Sequence, residues 1–308
     1  MSREILTWRI FDDDLVGTYH IPATVPLSGL TSANRVGVLL LNSGPAPRAG
    51  NSDLSVYISN RLASRGIHVF RFDLPGLGDS SGLTPPKYET YNQEVLRGRN
   101  DAATFALVGK LKQQFGISSV IVGGLCAATV PALRVADSHA DAIAGVILME
   151  PIFRLGENSN LDSQQADGVV VPSNRAKMKL CQVFSIQKWL IFLTGSNRIA
   201  KVLRPLLVRI QHRIVGHTLP MDTNVPLFMH WRGSLTQGTH SLVVVAEGLD
   251  NDRYVTHAME SLQANISGMI TLIRIPQTNH ILTSGQARDI VLNEVERWML
   301  DHYPFEAV

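Results

Sequence analysis

The sequence predicts an α/β fold, a mostly parallel sheet with helices on both faces. Three observations carry it. Short, continuous apolar runs rich in β-branched residues, such as Val36 to Leu41 and Ser241 to Ala246, are the pattern of strands buried on both sides. These runs alternate with amphipathic helical stretches, and strand–helix alternation builds parallel sheets through crossovers. The 308 residues are 45% hydrophobic and 18% charged, enough apolar material for a large core and too little charge for a disordered chain.

The elements follow in order. Residues 5–11 and 15–21 alternate apolar and polar positions, as the strands of an exposed hairpin do. Val36 to Leu41 is a buried strand, followed by a polar loop over Asn42 to Asn51. A helix runs from about Asp53 to Arg65, with Gly66 where a helix C-cap belongs. His68 to Asp73 is the next strand, and Pro75 to Ser80 a glycine-rich turn. One long helix is expected from about Thr90 to Phe115, ending before Gly116. Then come a strand at Ser119 to Val122, a helix at Ala127 to Asp137, and a strand at Gly145 to Met149 that stops at Glu150-Pro151. Later strands are Ser241 to Ala246 and Met269 to Ile275. Helices run about Arg253 to Asn265 and Ser284 to His302.

Residues 152–235 break this rhythm. A polar stretch, Gly156 to Gly168, precedes helices at about Ser173 to Thr194 and Asn197 to Val215. The segment reads as a helical cap inserted into a core made of residues 1–151 and 236–308. The apolar faces of Trp189 to Leu193 and Leu203 to Ile214 suit packing on the sheet and lining a substrate pocket alike.

Composition narrows the class. With 28 Lys and Arg against 26 Asp and Glu the net charge is +2, and the basic residues are scattered, so a nucleic-acid partner is not expected. Two cysteines, Cys126 and Cys181, make no disulfide scaffold and fit a reducing compartment. The N-terminal residues lack the basic start and apolar run of a signal peptide. No uncharged apolar stretch reaches the roughly 18 residues of a spanning helix. The expectation is a cytoplasmic protein without a membrane span. Neither a metal nor a cofactor is expected, because no Cys/His cluster occurs and the 73–80 turn matches neither G-x-G-x-x-G nor a Walker loop.

The chemistry concentrates at a few positions. Val120 to Ala128 (VIVGGLCAA) is a buried strand running through Gly124-x-Cys126-x-Ala128 into a helix. That is the strand–turn–helix elbow of a nucleophile, with Cys in place of Ser and Ala in place of the last Gly. Small neighbours let strand and helix backbones approach. The helix N-terminus favours thiolate, and the N–H of Ala127 is placed for an oxyanion. Cys181, on an insertion helix with no elbow, reads as a packing residue. His280 follows the last strand, where the order nucleophile, acid, base puts the general base. The loop after Ala246 holds Glu247, Asp250 and Asp252. Asp250 has the better spacing for the acid that orients the histidine. Asp252 is its substitute and also suits a helix cap, and Glu150 is a third choice. A second oxyanion donor belongs just after Leu41. Ser43 is the choice there, with Gly44 close behind.

Together these residues resemble the α/β-hydrolase fold superfamily over Val36 to about Tyr303. The motifs are RFDLPGLGDSSG (Arg71 to Gly82), GGLCAA (Gly123 to Ala128) and the late Asp250 and His280. More narrowly, NSGPAPRAG (Asn42 to Gly50), GLCAA followed by ALRVA (Ala132 to Ala136), and KWLIFLTG (Lys188 to Gly195) resemble the exosortase-system-associated α/β hydrolases, which also have a Cys elbow. The resemblance implies a mostly parallel eight-stranded sheet with a cap, and a triad of Cys126, His280 and Asp250. Two departures stand out. Asn42-Ser43-Gly44 replaces the usual His-Gly oxyanion loop, and Ala128 replaces the last elbow Gly.

The expected function is therefore an esterase- or thioesterase-type hydrolase with an acyl-cysteine intermediate. A thiolate attacks esters and thioesters readily and is poor against amides. The substrate would be a small acyl compound, free or carried as a thioester, with the oligomeric state open. Dienelactone hydrolases and polyhydroxyalkanoate synthases also use a Cys in this fold. The second of these passes acyl groups on, so an acyltransferase or cyclase is the alternative. A catalytically silent binding protein is the remaining one.

Overall fold

A computed structural model of the protein describes residues 2–23, 35–155, 219–220 and 222–303. Its strands are β1 (Arg3–Ile10), β2 (Asp13–His20), β3 (Val36–Leu40), β4 (His68–Phe72), β5 (Ser119–Leu125), β6 (Ile143–Met149), β7 (His240–Ala246) and β8 (Ile270–Ile275). They form one eight-stranded sheet in the order β1-β2-β4-β3-β5-β6-β7-β8. The hairpin β1–β2 joins antiparallel to β4, and every pairing from β4 through to β8 is parallel. The described helices are α1 (Leu54–Ser64), α2 (Tyr88–Leu96), α3 (Asp101–Phe115), α4 (Thr129–Ser138), α5 (Val225–Thr236), α6 (Asp250–Glu260), α7 (Ala264–Ser267) and α8 (Gly285–His302).

The alternating apolar runs divide between two cores. On one face Val38, Ile121, Ile147 and Val244 meet α1 and α8 through Ile58, Leu62, Val291 and Trp298. On the other, Leu39, Val122, Leu148 and Val243 meet α3, α4 and α5 through Leu107, Leu133, Phe228 and Trp231. Period-two alternation in a strand covered on both sides gives each residue a core of its own, which is why these runs carry no polar face.

Three elements differ from the sequence reading. The single long helix expected over 90–115 is two, α2 and α3. Gly98 takes φ +99°, a conformation open to glycine, and its N–H turns back to the carbonyl of Val95 at 3.0 Å. The helix expected from Arg253 starts earlier, at Asp250, and stops at Glu260, with α7 a separate short turn. Finally, residues 225–235, read as the end of the insertion, form most of α5, which is a core helix. Leu227, Phe228, Trp231 and Leu235 share one buried face at helical spacing. The Trp231 indole N–H donates to Ser241 Oγ at 3.0 Å, tying α5 to β7. Phe153 and Leu155 exchange backbone hydrogen bonds with Asn224 and Asp222, closing the stem on which the insertion is carried. The helices expected over 173–194 and 197–215, and Cys181, lie outside the described residues.

Candidate active site

The parallel strands deliver their C-terminal ends side by side, where ligands bind in open α/β sheets. Leu125 of β5 pairs with Met149 of β6, so Cys126 and Glu150 leave adjacent strands at the same level. Both turn at once: Cys126 takes φ +56° and Glu150 φ +50°. A positive φ in a non-glycine residue is strained by about 1–3 kcal/mol, and such residues cluster at functional sites.

The elbow is formed as its composition requires. Cys126 opens a 3₁₀ turn, Cys126–Ala128, that runs into α4. A Cβ on Gly123 would lie 2.1 Å from the carbonyl oxygen of Ile147, so β5 and β6 approach as closely as they do only through glycine. Gly124 has φ +151°, and a Cβ there would stand 2.6 Å from the Cβ of Ala128. Ala128 therefore fits where the usual elbow has glycine: its methyl group occupies the space that Gly124 leaves free.

His280 follows β8 in the 277–283 loop and meets both strand ends. Its Nδ1 lies 3.1 Å from Oε2 of Glu150, a carboxylate with no solvent exposure. Nε2 is left open on the other side of the ring, and the Cys126 side chain is the largest influence on its titration. Cys126 first and Glu150 second stabilise the imidazolium, against the opposing effect of burial, and hold its pKa up from 6.5 to about 10. Glu150 is itself held by three donors. Asn251 Nδ2 reaches Oε2 at 2.9 Å, the backbone N–H of Ala246 donates to Oε1, and His280 completes the set.

The acids expected from the sequence stand elsewhere. Asp250, the first choice, is an exposed ion-pair partner of Arg154 at the insertion stem. Asp252 accepts from Arg274 Nε at 2.7 Å and from the N–H of Gly248 at 3.1 Å, so it closes the turn into α6. The physical reason is helix geometry. Both aspartates sit in the first turn of α6, where the helix dipole favours a carboxylate; Asp250 faces water there, while the largely buried Asp252 is taken up by Arg274. Glu150, the third choice by sequence, is the carboxylate that meets His280. Its signal is a single carboxylate ending a strand, IAGVILM, buried at all but one position, where only a partnered charge is tolerated.

Known proteins share this fold. A family model described as the alpha/beta hydrolase fold matches residues 38–178. None of the curated proteins matches the sequence. Among solved structures, the chain is similar to the alpha/beta hydrolase GrgF from Penicillium, with TM-score 0.57, 14% identity, and 99% and 100% of the two chains covered. It is similar to a dienelactone hydrolase from Anabaena variabilis, with TM-score 0.54, 13% identity and 98% of each chain covered. A thioesterase domain from the curacin biosynthetic pathway gives TM-score 0.55 and 12% identity over 96% and 100%. The protein has the α/β-hydrolase fold.

In this α/β-hydrolase fold the loop after β3 lies beside the elbow strand. The N–H of Leu41 donates to the carbonyl of Gly123 at 2.9 Å, just before Asn42, Ser43 and Gly44. Ser43 is buried, and its Oγ accepts from Asn51 Nδ2 at 3.3 Å. Gly44 takes φ +60°, and its carbonyl accepts from the Tyr91 hydroxyl at 3.3 Å. Ala127, the residue after Cys126, is buried at the head of the turn into α4. Among the described residues no group of three or more His, Cys, Asp or Glu could hold a metal ion, and no helix is long and apolar enough to cross a membrane.

Proposed function

We propose that the protein is an acyl-transfer hydrolase of esterase or thioesterase type, acting through Cys126, His280 and Glu150. The observation that carries this reading is His280, whose Nδ1 lies 3.1 Å from the fully buried Glu150 carboxylate and whose titration is governed first by the elbow cysteine. Chain order nucleophile, acid, base is kept, with Glu150 after β6 in the acid's place.

The steps follow from the contacts. The Cys126 thiolate attacks the carbonyl carbon of an ester or thioester, and the carbonyl electrons move to oxygen. Backbone N–H groups of Ala127 and Ser43 hold that oxyanion. As the tetrahedral intermediate collapses, the bond to the leaving group breaks and imidazolium His280 gives it a proton. A Cys126 thioester and a neutral imidazole remain. His280 then takes a proton from water, hydroxide adds to the thioester, and the acid leaves as thiolate re-forms. Glu150 keeps Nδ1 protonated and oriented throughout. An amine or alcohol in place of water would turn the same intermediate into an acyl-transfer product.

Intact-protein mass spectrometry tests this. Wild type and Cys126→Ala are incubated with short and medium acyl thioesters. An acyl mass increase on wild type alone is expected, decaying to free acid. Decay only when an amine or alcohol is added would assign acyl transfer instead. Equal acylation of both proteins would remove Cys126 from the mechanism.

A further inference from the structure

A second buried carboxylate, Asp73, lies at the end of β4 and takes no part in the steps above. Its side chain has no solvent exposure. Three of the four donors around it come from the 42–48 loop and the fourth from the turn that follows β4. Oδ1 accepts from Asn42 Nδ2 at 2.9 Å and from the backbone N–H of Arg48 at 2.6 Å. Oδ2 pairs with the Arg48 guanidinium and accepts from the N–H of Asp79 at 3.1 Å. Asn42 also donates to the carbonyl of Ala46 and accepts from the N–H of Leu74, at 2.9 and 2.7 Å.

Residue 48 is gripped from its other side as well. Arg71, two residues before Asp73 and on the same face of β4, donates from Nη1 to the carbonyl of Arg48 at 2.9 Å. Arg71 is oriented in turn by buried His20 at 3.0 Å. The turn after β4 leaves room for this arrangement, since a Cβ on Gly78 would meet the Asp73 carboxylate at 2.2 Å. Both ends of the loop that carries Ser43 are thus fastened to one carboxylate. A buried ion pair adds little stability over apolar residues of the same volume, but it fixes geometry when all its hydrogen bonds are made.

We infer that Asp73 is a positioning residue that holds the 42–48 loop so that the Ser43 N–H meets the oxyanion formed at Cys126. The inference rests on the acyl-transfer reading above. It separates two reactions of the same sulfur. Acylation builds an oxyanion and needs the loop. Alkylation by iodoacetamide forms a C–S bond as iodide leaves, builds no oxyanion, and needs only the thiolate.

The test measures both rates by mass spectrometry in wild type, Asp73→Asn and Arg48→Met, using the same thioesters and iodoacetamide. An amide at position 73 turns N–H groups toward donors, while Arg48→Met removes the ion pair and leaves the Asp73 carboxylate in place. Acylation by thioester is expected to fall about 10- to 100-fold, short of the full loss of an oxyanion donor, with alkylation unchanged. If Asp73→Asn does not fold, Arg48→Met alone decides the outcome. Wild-type acylation in the folded variants overturns the inference, and so does a parallel fall of acylation and alkylation, the mark of general structural damage. If wild type alkylates but no thioester acylates it, the acyl-transfer reading fails first and the inference falls with it.

Discussion

His280 places Nδ1 3.1 Å from the Glu150 carboxylate, which approaches it from the end of the neighbouring strand β6 and not from the helix that follows β7. Glu150 and Cys126 therefore leave adjacent strands paired at Leu125 and Met149, and His280 reaches Glu150 from beyond β8.

Glu150→Gln should lower kcat/KM by about 10²- to 10⁴-fold, because an amide cannot hold the imidazolium. Asp250→Asn should leave it within about threefold, since an exposed ion pair is worth under about 1 kcal/mol. Steady-state kinetics on any thioester that is turned over decides between them. A large loss in Asp250→Asn with none in Glu150→Gln would reverse the assignment.

The His280 pKa of about 10 lies above the free value of 6.5. The folded protein therefore binds this proton more tightly than the unfolded chain does. That contribution to stability is fully present below about pH 6.5 and is lost as pH rises through about 10. Because Cys126 is the largest cause, Cys126→Ala should bring the His280 pKa down, and Glu150→Gln should do so too. NMR titration of the His280 ring protons reads both shifts. An unmoved pKa in Cys126→Ala would show that the two side chains do not interact.

Gly124→Ala should be destabilising by about 1–3 kcal/mol and should disturb the elbow, through overpacking and a positive φ. The added methyl would stand 2.6 Å from Ala128 Cβ and 3.0 Å from the carbonyl oxygen of Leu41. The reverse exchange, Ala128→Gly, should fold and cost about 1 kcal/mol or less. Urea unfolding midpoints separate the pair, and equal stability of Gly124→Ala with wild type would contradict the close approach.

Trp231→Ala should cost about 3–5 kcal/mol, the usual loss for a large buried aromatic side chain. The residue is fully buried and bonded to Ser241 across α5 and β7. A change near zero in chemical denaturation would mean that α5 is not part of the core.

Much of this was legible along the chain, for a local reason. Strand runs such as VGVLL and IAGVILM are apolar at every position because both faces are covered, and that shows in the residues themselves. The Cys126 elbow was legible because its chemistry lies within five residues, Gly124 to Ala128, and His280 because it follows the last strand. Gly98 was the missed local signal, a helix breaker inside an apparently continuous helical pattern.

The contacts of Glu150 with His280 and of Asp73 with the 42–48 loop were not legible, because neither is local. Glu150 and His280 are 130 positions apart, and Asn42 and Asp73 are 31 apart. By sequence, Asp250 was the better-spaced acid. Strand order puts Glu150 beside His280 by bringing β5 and β6 together, and leaves Asp250 facing water. The sequence by itself determined the layers and the strand–turn–helix at Cys126, and put His280 after the last strand, since those depend on the period and chemistry of neighbouring residues. The tertiary structure alone decided which buried carboxylate meets which partner, since a charge stays in the core only where the fold supplies donors for it.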